Sequence, residues 1–226
     1  MSQVEEYISI AREFFQEIEV ISKTRRPDNA NVLSILSSLS LDDGWNLGIR
    51  FAEYEDYGDK SWFYCYQGDR DTYIEDYRKR VEAGNDRGLN YFFQCESYAP
   101  VYELFNHLRV ECSPMGAWQA YLLSEAPSLL PSIWHGAYHA RDFVFCKDDI
   151  HFWLFMKDVK KAEVVDDFAL SVELEGNTAT ITCYYWNYHR GFFQDTAKLN
   201  ISDGKVSFSK NRDEKLIYKT RLDWML

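Results

Sequence analysis

The chain has 226 residues and carries 36 Asp and Glu against 25 Lys and Arg, which gives a formal net charge of −11. A chain of this length can bury a sizeable hydrophobic core, whereas its negative charge excludes nucleic-acid binding through phosphate contacts, which needs a basic surface. The five cysteines include no CxxC pair, which argues against a disulfide framework and for a reducing compartment.

The hydropathy pattern indicates a cytoplasmic protein. No apolar run approaches the ~18 residues of a membrane-spanning helix, so we expect no contact with a membrane. Residues 1–15 carry charges inside their apolar pattern and therefore do not resemble a signal peptide.

The first predicted element is a helix that begins with a capping box. Ser2 and Glu5 have the spacing of that motif, and the turn at 26–29 ends the helix. A short second helix follows. The apolar side chains at helical spacing are Val4, Tyr7, Ile8, Ala11, Phe14, Phe15, Ile18 and Ile21 in the first helix and Val32, Ile35, Leu36 and Leu39 in the second.

The middle of the chain alternates between strands and helices. Ser113 and Pro114 have the residue types that favour a helix start, and Gly84 is a typical helix stop. The predicted elements are a hairpin with strands around 47–51 and 62–66, a helix at 71–83, a short strand at 89–93, and helices at 99–109 and 114–125.

Two hairpin turns are the clearest feature of the C-terminal part. Gly176-Asn177 and Asp203-Gly204 each separate two runs in which apolar and polar residues alternate. The two-residue loops predict the pairs Leu170–Cys183, Val172–Ile181, Leu174–Ala179, Leu199–Phe208 and Ile201–Val206. Each hairpin then has one apolar and one polar face, which is typical of an antiparallel sheet packed on one side.

The order of the elements predicts an α+β fold. A mostly helical N-terminal half packs on a mainly antiparallel, hairpin-rich sheet in the C-terminal half. We expect a single domain over residues 1–226, helix-rich in 1–131 and strand-rich in 132–226. The sequence has no dinucleotide-binding, Walker A, nucleophile-elbow or EF-hand pattern, so it names no catalytic residue and no cofactor.

Residues 134–153, WHGAYHARDFVFCKDDIHFW, hold three of the five histidines. With Asp148-Asp149 as a turn, this stretch forms a hairpin in which Cys146 lies opposite His151 and the phenylalanines face the core. Asp142 would lie about 13 Å from Cys146 along the strand and could not orient a Cys–His dyad.

Zinc binding is one interpretation of the same stretch. His135, His139, Cys146 and His151 form a chemically acceptable ligand set, provided that the segment before the hairpin folds over its polar face. The spacing matches no established zinc pattern. The simpler alternative is a group of partly exposed histidines beside a hairpin.

Two groups of residues are candidates for binding. Tyr184, Trp186 and Tyr188 alternate along a predicted strand and form either a platform for a ligand or a second core under other elements. Trp45 follows the acidic turn Asp42-Asp43, which joins an aromatic anchor to negative charge.

In general composition the chain resembles the small, acidic, aromatic-rich bacterial proteins that neutralise toxins by binding them, although no motif carries the resemblance. It implies a non-enzymatic binding protein with a protein partner that is basic. The alternatives are a hydrolase-type enzyme, with or without zinc, that uses the histidine segment, and a small-ligand binding module on the aromatic row 184–188.

Overall fold

The computed structural model of the chain describes residues 2–24, 31–52, 60–84, 104–129, 141–146, 149, 168–187, 190–209 and 212–219. The five helices in these ranges are α1 (Gln3–Thr24), α2 (Val32–Ile35), α3 (Arg70–Glu82), α4 (Leu104–His107) and α5 (Pro114–Leu129). The strands are β1 (Leu39–Leu41), β2 (Trp45–Ala52), β3 (Lys60–Gln67), β4 (Leu108–Val110), β5 (Asp142–Phe143), β6 (Ser171–Glu175), β7 (Thr178–Asn187), β8 (Gly191–Ser202), β9 (Lys205–Phe208) and β10 (Asp213–Lys219).

The first helix begins at the predicted capping box. The backbone N–H of Ser2 donates to Glu5 Oε2 at 2.5 Å, and the backbone N–H of Glu5 donates to Ser2 Oγ at 3.3 Å. Val4 lies outside the apolar face, with 40% of its surface exposed. The buried face of α1 consists of Tyr7, Ala11, Phe14, Ile18 and Ile21.

Helix α5 runs through the core. Ser113 Oγ accepts a hydrogen bond from the backbone N–H of Gly116 at 3.0 Å, as expected of the predicted cap. Trp118 is fully buried and donates its indole N–H to the Tyr7 carbonyl at 3.0 Å. This bond fixes α5 against α1, while the other side of α5 contacts β6 and β7.

The C-terminal strands form a six-stranded antiparallel sheet with β7 and β8 at its centre. β5 and β6 pair with one side of β7, and β9 and β10 pair with the far side of β8. The predicted pairs Val172–Ile181, Leu174–Ala179, Ile201–Val206 and Leu199–Phe208 are all present. Asp203 and Gly204 both have positive φ, 52° and 73°, as a type I′ turn requires.

The predicted central hairpin is also confirmed. β2 and β3 pair antiparallel, with Leu47 opposite Cys65 and Ile49 opposite Phe63. Gly48 lies opposite Tyr64, and a Cβ at Gly48 would lie 2.4 Å from the Tyr64 ring. The ring therefore covers the glycine, and no larger residue fits there without moving it.

The prediction of a helix through 99–109 is wrong at its C-terminal end. Helix α4 ends at His107, and Leu108–Val110 is a strand that pairs with Leu39–Leu41. Leu108 and Val110 are buried and Arg109 is exposed, which is the alternation of a strand and not of a helix. Leu39, assigned to the second helix from its spacing, pairs with Val110 instead.

The described helices and strands share one cluster of buried apolar side chains. It includes residues of α1, α2 and α5 together with β2, β3 and the inner face of the C-terminal sheet. The α+β prediction, with helices early and antiparallel strands late, is therefore confirmed. Among the described residues, no helix is both long and apolar enough to cross a membrane.

Candidate functional site

Trp45 lies at the start of β2, immediately after the turn that leaves β1. Its backbone N–H donates to the Asp42 carbonyl at 3.0 Å, and Gly44 takes the positive φ of 79° that the turn needs. The Trp45 side chain is partly exposed. The turn thus holds a large aromatic residue at the protein surface beside two acids.

The Trp45 ring is one of four partly exposed rings in contact with one another. It stacks on the His107 imidazole, with ring centroids 3.3 Å apart and planes 12° apart. Tyr73 of α3 meets it edge-on at 6.1 Å, and Tyr66 of β3 lies 6.5 Å from Tyr73. We call Trp45, Tyr66, Tyr73 and His107 the aromatic patch.

The Asp42 carboxylate is the electrostatic centre beside the patch. It accepts hydrogen bonds from the Nε of Arg109 and from the Nζ of Lys205, the latter at 2.8 Å, and lies 3.4 Å from His107 Nδ1. The bond from Lys205, and after it the bond from Arg109, lowers the pKa of Asp42 to about 2. Its negative charge is therefore compensated within the molecule, whereas Asp43 is exposed.

The described part of the aromatic row on β7 is covered. Tyr184 and Trp186 are 6% and 3% exposed. Phe192 of β8 stacks with Tyr184 at 5.8 Å, and Phe168 meets both rings edge-on. Tyr184 and Trp186 therefore belong to a second aromatic core rather than to an open platform. Tyr188 lies outside the described residues.

The histidine segment falls mostly outside the described residues, among them His135, His139 and His151. Phe143 and Phe145 are buried as predicted, but Val144, which the predicted alternation places on the polar face, is buried as well, and the strand β5 ends at Phe143. Cys146 is half-buried, and the Asp149 carboxylate accepts the backbone N–H groups of Phe145 and Cys146 at 2.8 and 3.0 Å. Within the described residues, no group of three or more potential metal ligands is assembled.

The structure also contains a buried ion network that the sequence analysis missed. Asp195 of β8 is fully buried and accepts two hydrogen bonds from Arg212 Nε, at 2.8 and 2.7 Å. Arg212 also donates to Glu125 of α5 at 2.7 Å. Arg141 and Arg190 extend the contacts to Glu214, at 2.5 and 3.2 Å. We call Glu125, Arg141, Arg190, Asp195, Arg212 and Glu214 the ion network.

One sequence signal could have revealed it. Asp195 shares its strand face with Phe193, Ala197 and Leu199, all of which point into the core. An acid at an inward position of a strand requires a buried partner. The partners Arg212 and Glu125 are far away in sequence, so no local pattern identifies them.

Tyr121 and Cys183 lie beside the network but are not activated nucleophiles. The Tyr121 hydroxyl donates to Asp195 at 2.7 Å and lies 3.2 Å from the Cys183 sulfur. Burial, together with the charge of Asp195, raises the pKa of the Cys183 thiol to about 12, and burial raises the pKa of Tyr121 well above its usual value. Both side chains stay protonated at neutral pH, and a thiol in this state does not attack substrates.

No protein-family model, curated protein or solved structure matched the chain.

The ion network predicts a large loss of stability when its central carboxylate is removed. Asp195→Asn leaves the Arg212 guanidinium without its full charge partner in the core and should cost about 3–5 kcal/mol in the free energy of unfolding. Urea denaturation measures this change. Asp213→Asn, at an exposed position on the neighbouring edge strand, is the matched control and should cost less than about 0.5 kcal/mol. Equal effects of the two substitutions would contradict a buried network.

The four described cysteines should differ sharply in reactivity toward a thiol reagent at pH 8. Cys112 is exposed and should react first, half-buried Cys146 more slowly, and buried Cys65 and Cys183 only after unfolding. A thiol with a pKa of about 12 has roughly 10⁻⁴ of its population as thiolate at pH 8. Mass spectrometry of labelled peptides measures each rate. Native-state labelling of Cys183 at the rate of Cys112 would show that the thiol is not sequestered.

The lowered pKa of Asp42 predicts a pH-dependent contribution to stability. Because the folded-state pKa is about 2 and that of an unfolded Asp is about 3.9, the ionised group stabilises the fold fully above about pH 5. The contribution is lost as the pH falls toward 2. The stability difference between the wild type and Asp42→Asn should therefore narrow between pH 5 and 3 in urea titrations. A difference that stays constant over this interval would mean that the ion pairs of Asp42 contribute nothing to the free energy of unfolding.

Proposed function

We propose that this is a non-enzymatic, cytoplasmic binding protein that recognises a basic protein, such as a toxin that it neutralises, through the aromatic patch. The observation that carries the proposal is the partly exposed Trp45 ring, held in a fixed orientation by the His107 stack and by Tyr73. Trp and Tyr are among the residue types that contribute most to protein–protein affinity.

The rigidity of the patch favours binding. A side chain that is already fixed in the unbound protein loses little conformational entropy when a partner covers it. Trp45 is held by its own turn, by the ring of His107 on α4 and by the ring of Tyr73 on α3. Three separate elements thus present one aromatic surface to a partner.

The charges beside the patch favour a basic partner. Arg109 and Lys205 both donate to Asp42, so these three side chains together carry one net positive charge. Asp43 in the turn and Asp69 and Asp71 at the start of α3 are exposed. Asp71 pairs with Arg70 at 3.2 Å, so Asp43 and Asp69 supply the excess of negative charge on this side. With a net charge of −11 on the whole chain, long-range attraction would steer a basic protein toward this side.

The other two interpretations have less support. The histidines on which the hydrolase interpretation depends lie outside the described residues. Within the described residues, Cys183 and Tyr121 stay protonated and the Asp42 carboxylate is occupied by Arg109 and Lys205, so these groups do not favour a hydrolase. A ligand platform on residues 184–188 conflicts with the burial of Tyr184 and Trp186.

The test is capture of a partner from the native cell by cross-linking at low salt, followed by binding kinetics with the purified pair. Trp45→Ala should speed dissociation by at least about 30-fold, the effect of losing about 2 kcal/mol at a hot spot. Asp43→Asn should slow association, more so at low salt, and leave dissociation nearly unchanged.

Val20→Ala provides the control, because Val20 is an exposed apolar residue on α1, a helix that contributes no residue to the patch. It should change neither rate constant. Circular dichroism and urea denaturation would verify that Trp45→Ala stays folded. A captured partner whose dissociation rate does not respond to Trp45→Ala would overturn the assignment of the patch. Turnover of a small substrate without any captured protein would overturn the binding function itself.

A further inference from the structure

A groove of about 560 Å³ lies between helix α1 and the segment that follows β5. Ile8 and Phe145 provide apolar surface, and the half-buried Cys146 also lines the groove. Glu5 and Glu13 of α1 line it as well. Its volume falls in the range that holds a small molecule or a few residues of a peptide.

The described lining of the groove carries more negative than positive charge, with Glu5 and Glu13 against Arg12. Arg12 is the basic side chain in its described lining, and its guanidinium donates to the Asp149 carboxylate at 3.0 Å. Asp149 in turn accepts the backbone N–H groups of Phe145 and Cys146, so this ion pair belongs to the wall. The Glu5 and Glu13 carboxylates then determine the sign of the charge that an occupant meets.

The positions of the two carboxylates specify the occupant further. Eight residues of α-helix separate Glu5 from Glu13, which corresponds to about 12 Å along the helix axis. In an extended peptide, residues i, i+2 and i+4 point to the same side, and i and i+4 are about 13 Å apart. A peptide with basic residues at i and i+4 and an apolar residue at i+2 therefore matches the two acids and the apolar surface between them.

We propose that this groove is a docking site for an extended basic segment of a partner protein, with an apolar side chain between two lysines or arginines. The site does not involve the aromatic patch and does not depend on the function proposed for it. The segment's cations would pair with Glu5 and Glu13, and its apolar side chain would contact Ile8 and Phe145. The occupied groove would cover Cys146.

The alkylation rate of the Cys146 thiol is the quantity that tests the proposal. The full-length protein is treated with iodoacetamide while the synthetic peptide acetyl-Gly-Lys-Ser-Leu-Ser-Lys-Gly-amide is titrated, and the alkylation rate at Cys146 is followed by mass spectrometry. We expect saturable slowing at Cys146 and no slowing at exposed Cys112. Peptides with Glu in place of Lys, or with Ser in place of Leu, should protect at least about tenfold less well.

Matched double variants test the role of the two acids. Glu5→Gln with Glu13→Gln should weaken the peptide's protection about tenfold, at roughly threefold for each exposed ion pair. Gln at position 5 can keep the capping box with Ser2, so the helix start is preserved. Glu6→Gln with Glu19→Gln removes the same charge from exposed positions of α1 outside the groove and should leave protection unchanged.

Several results would overturn the proposal. These are no protection at millimolar peptide, equal protection by the glutamate or serine peptide, or equal weakening by the two double variants. Equal protection by spermine would mean that the groove selects small cations and not a peptide. Trp45→Ala should leave protection intact, so failure of the groove and failure of the aromatic patch are distinguishable.

Discussion

The pairing of Arg212 with buried Asp195 is the constraint around which the described structure is arranged. Asp195 leaves water completely and Arg212 mostly, and the cost of that desolvation is offset by the ion pairs and hydrogen bonds that the two groups make. The partners come from α5, from the residue before β5, from β8 and from the start of β10. Burial opposes the charged form of Arg212, but its bonds to Asp195 and its proximity to Glu125 raise its pKa. The network therefore favours the arrangement of helix and sheet in which all of these partners meet.

Helix α5 connects that arrangement to the surface. Tyr121 and Glu125 join the ion network, Trp118 bonds to α1, and Gln119 Oε1 accepts the backbone N–H of Ser38 at 2.7 Å just before β1. β1 pairs with β4, and the turn after β1 carries Trp45. A single buried helix thus connects the ion network to the strand pair before Trp45, and the Trp45 ring, which packs against the edge of the main core, is held in a fixed orientation.

The sequence predicted those parts of the fold in which the signal is local. The two hairpins followed from two-residue turns and strict alternation, and the starts of α1 and α5 followed from caps within a few residues. β1 and β4 were missed because each has three residues and its partner is distant in the chain. The sequence places Trp45 close to Asp42. It did not predict that His107 contacts them, because the helix predicted over 99–109 continues past that residue. The ion network depends on residues that only the folded sheet brings together.

The ion network also limits how the sequence can evolve. Substitution of Asp195 alone removes the closest charge partner of the Arg212 guanidinium, and substitution of Arg212 alone removes the closest cation from a carboxylate with no exposed surface. Either change by itself passes through a destabilised protein, whereas joint replacement by apolar residues of similar size avoids the uncompensated charge. Proteins descended from this chain are therefore expected to retain or lose the two residues together. In an alignment of such proteins, positions 195 and 212 should change in a correlated way.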